Sequence, residues 1–266
     1  MSKTIKAQLY INSIWRYRHF WVHLALSDLR ARFRRSYLGL VWLTLQPLLL
    51  TSIMSLVFIV VLKQPFTDYS VYLFSGLIVW DFITGCFQIG AGSFLAAESY
   101  VRQVRLPMII YPMKAVLYCT IVFLFAFSGF AVYAGIIKPA MFTWRWVYII
   151  PFISFMPLVG LPLAIISAIT NIKFRDYQQM IGLVLQMLMY ASPIMFNREA
   201  FEHSALRTWN TINPVAALLD IFRTPLIDGT DPNLSSFAVL MVWMAALWSL
   251  AIYALNRNER QIVFYY

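Results

Sequence analysis

The sequence predicts an all-α integral membrane protein. It has six transmembrane helices, an N-terminal amphipathic interface helix, and an outer re-entrant or gate hairpin before the last helix. Three observations carry this reading. Of 266 residues, 61% are hydrophobic and only 12% are charged, whereas soluble domains carry roughly 25% charged residues. The mean hydropathy is +0.70. The apolar residues also fall in long blocks between short polar stretches, and a hydrocarbon core about 30 Å thick takes ~20 apolar helical residues to cross. The blocks lack the strict alternation of a membrane β-barrel.

The six blocks cover residues 38–62, 71–95, 109–137, 147–170, 180–196 and 237–255. The chain therefore divides into a cytoplasmic N-terminus with its interface helix, 1–37, and a six-helix transmembrane domain, 38–266. Pro47, Pro112, Pro151, Pro157 and Pro162 fall inside blocks and imply kinks, which neighbouring helices tolerate. Orientation follows from the basic residues. With the N-terminus inside, fifteen of the 21 Lys and Arg residues lie on the inner side, as the positive-inside rule requires. Both termini are then cytoplasmic. The first long apolar run starts only after Arg35, so no cleavable signal peptide is expected.

Between Trp15 and Tyr37, Val22, Leu26, Leu29 and Phe33 recur at helical spacing and make one apolar face. Arg30, Arg32, Arg34 and Arg35 crowd the rest, and Asp28 stands four residues before Arg32, the spacing of a helical ion pair. This is an amphipathic helix in the inner headgroup region or a plain juxtamembrane anchor. Its arginines fit phosphate oxygens bidentately, and equally fit lipid headgroups. The longest outside loop, 197–236, holds an apolar stretch, 214–227, broken by Asp220 and Arg223. That stretch is too short and too charged to span, so a re-entrant or interfacial hairpin is expected.

The net charge of +10 sits beside the spans rather than in a nucleic-acid-binding face. No phosphate-binding loop of the G-x-x-x-x-G-K-[ST] type occurs. His19 and His23 lack the H-E-x-x-H pattern, and Glu199 and Glu202 stand three apart in a polar loop, where a solvated helix face fits better than a glycosidase pair. Cys86 and Cys119 both lie in apolar blocks and by themselves make neither a disulfide framework nor a zinc site. No catalytic residue and no metal site is expected. Asp81, mid-span in the second block, is either functional or a hydrogen-bonded residue facing the bundle. With so few ionisable groups inside the spans, a proton relay is not expected. A membrane protein without its own ion relay or nucleotide site, if it transports, must be driven by a partner.

Arg34-Arg35-Ser36-Tyr37-Leu38-Gly39-Leu40-Val41-Trp42 with Gln46-Pro47 resembles the start of the first span in ABC-2 type permeases. The run Glu98, Ser99, Tyr100, Val101, Arg102, Gln103, Val104, Arg105, Leu106, Pro107 resembles their first cytoplasmic loop. Phe174-Arg175-Asp176, after Lys173, resembles the second. Ser192-Pro193-Ile194 and Asn213-Pro214 resemble the end of the fifth span and the outer hairpin. Within that family the sequence most resembles the permeases that export lipid-linked polysaccharide: O-antigen of lipopolysaccharide, capsule or teichoic acid.

The resemblance implies a homodimer in the bacterial inner membrane, bound to two copies of a separate ATPase. That partner carries the ATP and Mg, and this chain needs no cofactor. Residues 98–107 would form the coupling helix that docks on the ATPase, with Gln103 standing where a lysine is common. The hairpin bearing Asn213, Pro214, Asp220 and Arg223 would form gate helices, and the dimer interface a channel for an undecaprenyl-pyrophosphate-linked glycan. Aromatic residues are 17% of the chain, and sugar C–H faces stack on aromatic rings. Tyr69, Tyr72, Trp144, Trp146 and Tyr148 are candidates for the channel, or else belong to the interfacial aromatic belt. A same-fold exporter of a small drug or lipid, a membrane-embedded glycan-transferring enzyme and a scaffold subunit are the alternatives.

Overall fold

The computed structural model describes residues 12–62, 65–103, 106–196, 201 and 206–262, with side chains described at all of these except 61–62, 101–103 and 259–262. Among the described residues the regular elements are helical. They are α1 (Arg18–Phe33), α2 (Trp42–Leu62), α3 (Phe66–Gly92), α4 (Glu98–Gln103), α5 (Ile110–Ile137), α6 (Ile149–Lys173), α7 (Tyr177–Tyr190), α8 (Arg207–Ile212), α9 (Pro214–Arg223) and α10 (Leu234–Ile262).

Among the described residues five segments are long and apolar enough to cross a membrane: Gly39–Val60, Phe66–Gly92, Ile110–Ile137, Trp144–Lys173 and Leu234–Asn258. The fifth block of the sequence takes another form. Its helix, α7, has 14 residues, about 21 Å at 1.5 Å per residue, which is short of a hydrocarbon core of about 30 Å. The chain then turns through residues 191–196. Pro193 follows Ser192 there, and a proline both lacks the helical N–H and disfavours helix at the residue before it. Pro112 and Pro151 each stand third in their helices, within a first turn that does not need their N–H. Pro47, Pro157 and Pro162 are internal.

Helix α3 is the hub, with 72% of its most apolar window buried against 22% for α2 and α10. Small residues allow this in a membrane, where close backbone approach drives helix association. A Cβ on Gly90 would lie 2.6 Å from the Cα of Ala164 in α6, and one on Gly160 would lie 2.6 Å from the Sγ of Cys86. Polar groups tie the helices further. Asn171 donates to the carbonyl of Ala91 at 2.9 Å, and Thr44 donates to that of Phe125 at 2.9 Å. Cys86 and Cys119 are free thiols, both buried.

Helix α1 lies along α5. Ala25 and Leu29 are buried, and Val22, Leu26 and Phe33 are half-buried beside them, so the apolar face is the one the spacing predicts. The ion pair is not. Asp28 pairs with Lys114 of α5 at 2.6 Å, and Arg32 donates to the hydroxyl of Tyr118 at 2.6 Å. Docking of the helix offers each charge a partner across the interface in place of the partner one turn away. This side of the bundle is the α1 end. The other side, with the start of α3 and the end of α5, is the far end.

Candidate functional site

The sequence-predicted residues gather at the two ends of the bundle. At the α1 end, Arg30, Arg34 and Arg35 are exposed. Arg35 takes φ 98°, in the left-handed region, where the chain reverses from α1 into α2. Tyr100 of α4 meets Phe20 of α1 edge to face, with centroids 6.0 Å apart, so the first loop and α1 form one connected surface. Glu98 and Ser99 are exposed beside it, and Leu106 and Pro107 are half-buried where the chain returns toward α5. Val101, Arg102 and Gln103 continue the α4 backbone. Val104 and Arg105 lie outside the described residues, as do Glu199 and Glu202. Phe94 and Ala97 sink the base of the loop into a satellite core with Tyr111, Ile169 and Leu255. In the second loop Lys173 donates to Asn258 of α10, while Arg175 and Asp176 are exposed.

At the far end the organising group is Arg223, the last residue of α9. It is buried, at 6% exposure, yet its guanidinium uses all three nitrogens. Nε donates to Ser75 Oγ at 3.0 Å, and Nη1 to the carbonyl of Pro193 at 2.5 Å. Nη2 donates to the carbonyls of Tyr72 and Ile194, both at 3.0 Å. The guanidinium carbon sits 3.6 Å from the centroid of the Tyr72 ring, a cation–π contact. Gly76 leaves room for this group, because a Cβ there would lie 2.2 Å from Nη2. One side chain therefore clips α9 to α3 and to the turn after α7.

Asn213 starts α9. Its Oδ1 accepts from the Val215 amide at 2.9 Å, its Nδ2 donates to Ser192 Oγ at 2.9 Å, and Pro214 takes the first helical position. These are a side-chain cap and the preferred place for proline. Asp220 accepts from Ser236 of α10 at 3.0 Å. Burial raises the Asp228 carboxyl above the ordinary carboxylate range, against the opposing pull of Arg223 and Lys138.

The five aromatic candidates do not share one surface. Tyr69, at 1% exposure, donates to the Met195 carbonyl at 3.0 Å. Tyr72 donates to the carbonyls of Pro193 and Phe196 under the Arg223 guanidinium. Trp146 stacks on Phe142 with centroids 4.1 Å apart and donates to the Met141 carbonyl. Tyr148 reaches Asp231 at 3.4 Å. Trp144 alone of the five is largely bare, at 68% exposure. Within the protomer, then, Tyr69, Tyr72 and Trp146 hold the far end together.

Asp81 faces outward from α3, into a cavity of about 380 Å³ between α1, α2, α3 and α5. Thr84, Gln88, Gln46 and Arg32 line the same cavity. Sequence reading singles out Asp81 but not Thr84 or Gln88, although the spacing 81, 84, 88 is a helical stripe. Among the described residues no group of three or more His, Cys, Asp or Glu could hold a metal ion.

Residues 20–227 match the profile of the ABC-2 type transporter family. The O-antigen export system permease protein RfbA of Myxococcus xanthus is 24% identical over 257 residues, covering 94% of this chain and 96% of that one. Two proteins of the same description from Klebsiella pneumoniae are 26% identical over 216 residues and 25% identical over 211 residues. The first covers 77% of this chain and 78% of the relative, the second 76% and 78%.

Proposed function

Because the chain belongs to the ABC-2 type transporter family, we propose that it is the permease subunit of an ATP-driven exporter that moves lipid-linked polysaccharide, O-antigen of lipopolysaccharide, across the bacterial inner membrane. The observation that carries this reading is co-extension: 94% of the chain pairs with 96% of an O-antigen export permease. The family brings with it a separate ATPase. The working unit is then two copies of this chain and two of the ATPase, with both termini in the cytoplasm and α7 with the turn after it serving as the fifth of six crossings.

In this arrangement the α1 end faces the ATPase. Closure of the ATPase on ATP pushes the exposed surface of α4, and the Phe20–Tyr100 contact passes the push to α1. Packed helices answer such a push as rigid bodies. The hairpin of α8 and α9 is the gate at the far end, with Arg223 as its hinge point. Arg30, Arg34 and Arg35 face the inner headgroups, where the pyrophosphate linker arrives.

The test is reconstitution with the ATPase in proteoliposomes containing a fluorescent undecaprenyl-pyrophosphate-linked glycan. The expected result is ATP-dependent movement of glycan to the opposite side, lost with a hydrolysis-deficient ATPase. Nucleotide consumption by this chain alone, or an ATPase that turns over without moving the glycan, would overturn the reading.

A further inference from the structure

The groove around Asp81 is a polar site at membrane depth that the protomer leaves open. Asp81, Gln46 and Gln88 are exposed, and none has a side-chain partner among the described residues. Asp81, Thr84 and Gln88 follow one another at three and four residues, so they lie on one face of α3. Gln46 comes from α2 and meets that face across the cavity. The surrounding outward surface is of another kind: Ile53, Leu56, Val57 and Val60 on α2, and Val132 and Ile136 on α5.

A carboxylate and two amides facing hydrocarbon would each lose several kcal/mol of hydration, which is why intramembrane acids face bundle interiors or water. The exposed face therefore meets water or a polar partner. Its chemistry narrows the choice. One carboxylate supplies acceptors only, while each glutamine amide supplies two donors and an acceptor. The set thus answers groups that both donate and accept. A divalent cation would find a single carboxylate. A lipid tail would find amides. Hydroxyl groups match, and Ile89 and Val122 on the same wall offer apolar surface to the C–H faces of a ring.

We infer that the Gln46–Asp81–Thr84–Gln88 groove is a hydrated carbohydrate-contacting wall, whose carboxylate and amides exchange hydrogen bonds with the hydroxyls of a polysaccharide. Arg32, held on Tyr118 at 2.6 Å, bounds its inner end. This inference rests on the polysaccharide-export reading and says where in this chain the glycan is touched. Single good hydrogen bonds in the groove hold the chain loosely enough for it to slide.

The test uses the full transporter with its ATPase and the native cysteines, which are buried, with labelled positions identified by mass spectrometry. Gln88→Cys and Thr84→Cys should react with a charged methanethiosulfonate reagent at least ~10-fold faster than Leu56→Cys, which faces lipid. Saturating undecaprenyl-pyrophosphate-linked glycan should slow Gln88→Cys labelling several-fold, and undecaprenyl pyrophosphate alone should not. Asp81→Asn, equal in shape, should lower the rate of glycan movement by about 10-fold, the equivalent of one charge-assisted hydrogen bond.

An unreactive Gln88→Cys would mean that the groove is sealed by the second copy, and would overturn the inference. So would labelling that glycan leaves unchanged while glycan is still exported, an outcome that leaves the exporter reading intact. Failure of the unaltered transporter to move glycan would defeat that reading instead.

Discussion

Replacing Gly76 with alanine should free the hairpin of α8 and α9 from the bundle. The added Cβ would lie 2.2 Å from Nη2 of Arg223 and 3.0 Å from the carbonyl oxygen of Ile194. Non-bonded heavy atoms rest about 3.5–4 Å apart, so the guanidinium must shift by more than ~1 Å. It has nowhere to go, because the side chain is buried and the Tyr72 ring covers it at 3.6 Å. The two Nη2 hydrogen bonds, to Tyr72 and Ile194, break first. Hydrogen bonds to a charged group contribute about 1.5–3 kcal/mol each, so the loss of two is about 3–6 kcal/mol, overlapping the range of about 3–5 kcal/mol found when a buried charge loses its partner.

Domains are stable by about 5–15 kcal/mol, so the bundle persists while the open-hairpin population rises on the order of a hundredfold or more. Limited proteolysis in detergent, read as the rate of cleavage between α7 and α10, measures that population. The companion variant is Arg223→Met, which carries no donor to displace. In the double variant the Gly76→Ala cost should largely disappear, a coupling that a double-mutant cycle reads directly. A wild-type cleavage rate in Gly76→Ala, or costs that simply add in the double variant, would refute the steric argument.

Other consequences follow from packing and topology. Gly90→Leu places a side chain where even a Cβ meets Ala164 at 2.6 Å. It should cost about 1–3 kcal/mol or more by overpacking, seen as a lower melting temperature in detergent, while Gly92→Leu, with open space around its Cβ, should not. Asp28→Asn removes a pair whose acid is half exposed. It should cost no more than about 1 kcal/mol, and a larger drop in stability would show that α1 is held by charge rather than by Ala25 and Leu29. Tyr100→Ala removes the edge contact with Phe20 and should lower glycan-stimulated ATPase turnover without lowering membrane insertion. Reporter fusions after Gly92 and after Lys138 should give opposite sides of the membrane, with Gly92 cytoplasmic. The reverse assignment would invert the bundle.

Hydropathy over twenty-residue windows finds the long helices because burial in lipid imposes itself on every residue of a span. It reads α7 less well. Apolar residues continue through Ala191–Phe196, but the Ser192-Pro193 step stops the helix, and hydropathy does not register a missing N–H. Arg223 stands out in the sequence as a charge inside an apolar stretch. Its partners do not, since three of its four acceptors are backbone carbonyls, which any residue provides. Asp28 shows the opposite case. A plausible partner exists one turn away in the sequence, and the fold supplies a competing one on α5. In the groove, Thr84 and Gln88 were within reach of a periodicity count applied to polar residues of the second block. Gln46 was not, because only the packing of α2 against α3 brings it there.

The seam between α3 and α6 bears on how the protein is made. Gly90 and Ala164 are in backbone contact although more than seventy residues of chain separate them, so α3 reaches the membrane well before the surface that shelters it exists. During that interval the helix with the polar stripe of Asp81, Thr84 and Gln88 has only α2 and then α5 for company. Insertion and assembly are thus separate stages for this polypeptide. A ribosome-bound chain ending before α6 would leave α3 the segment most dependent on the insertion machinery and most open to quality-control proteases.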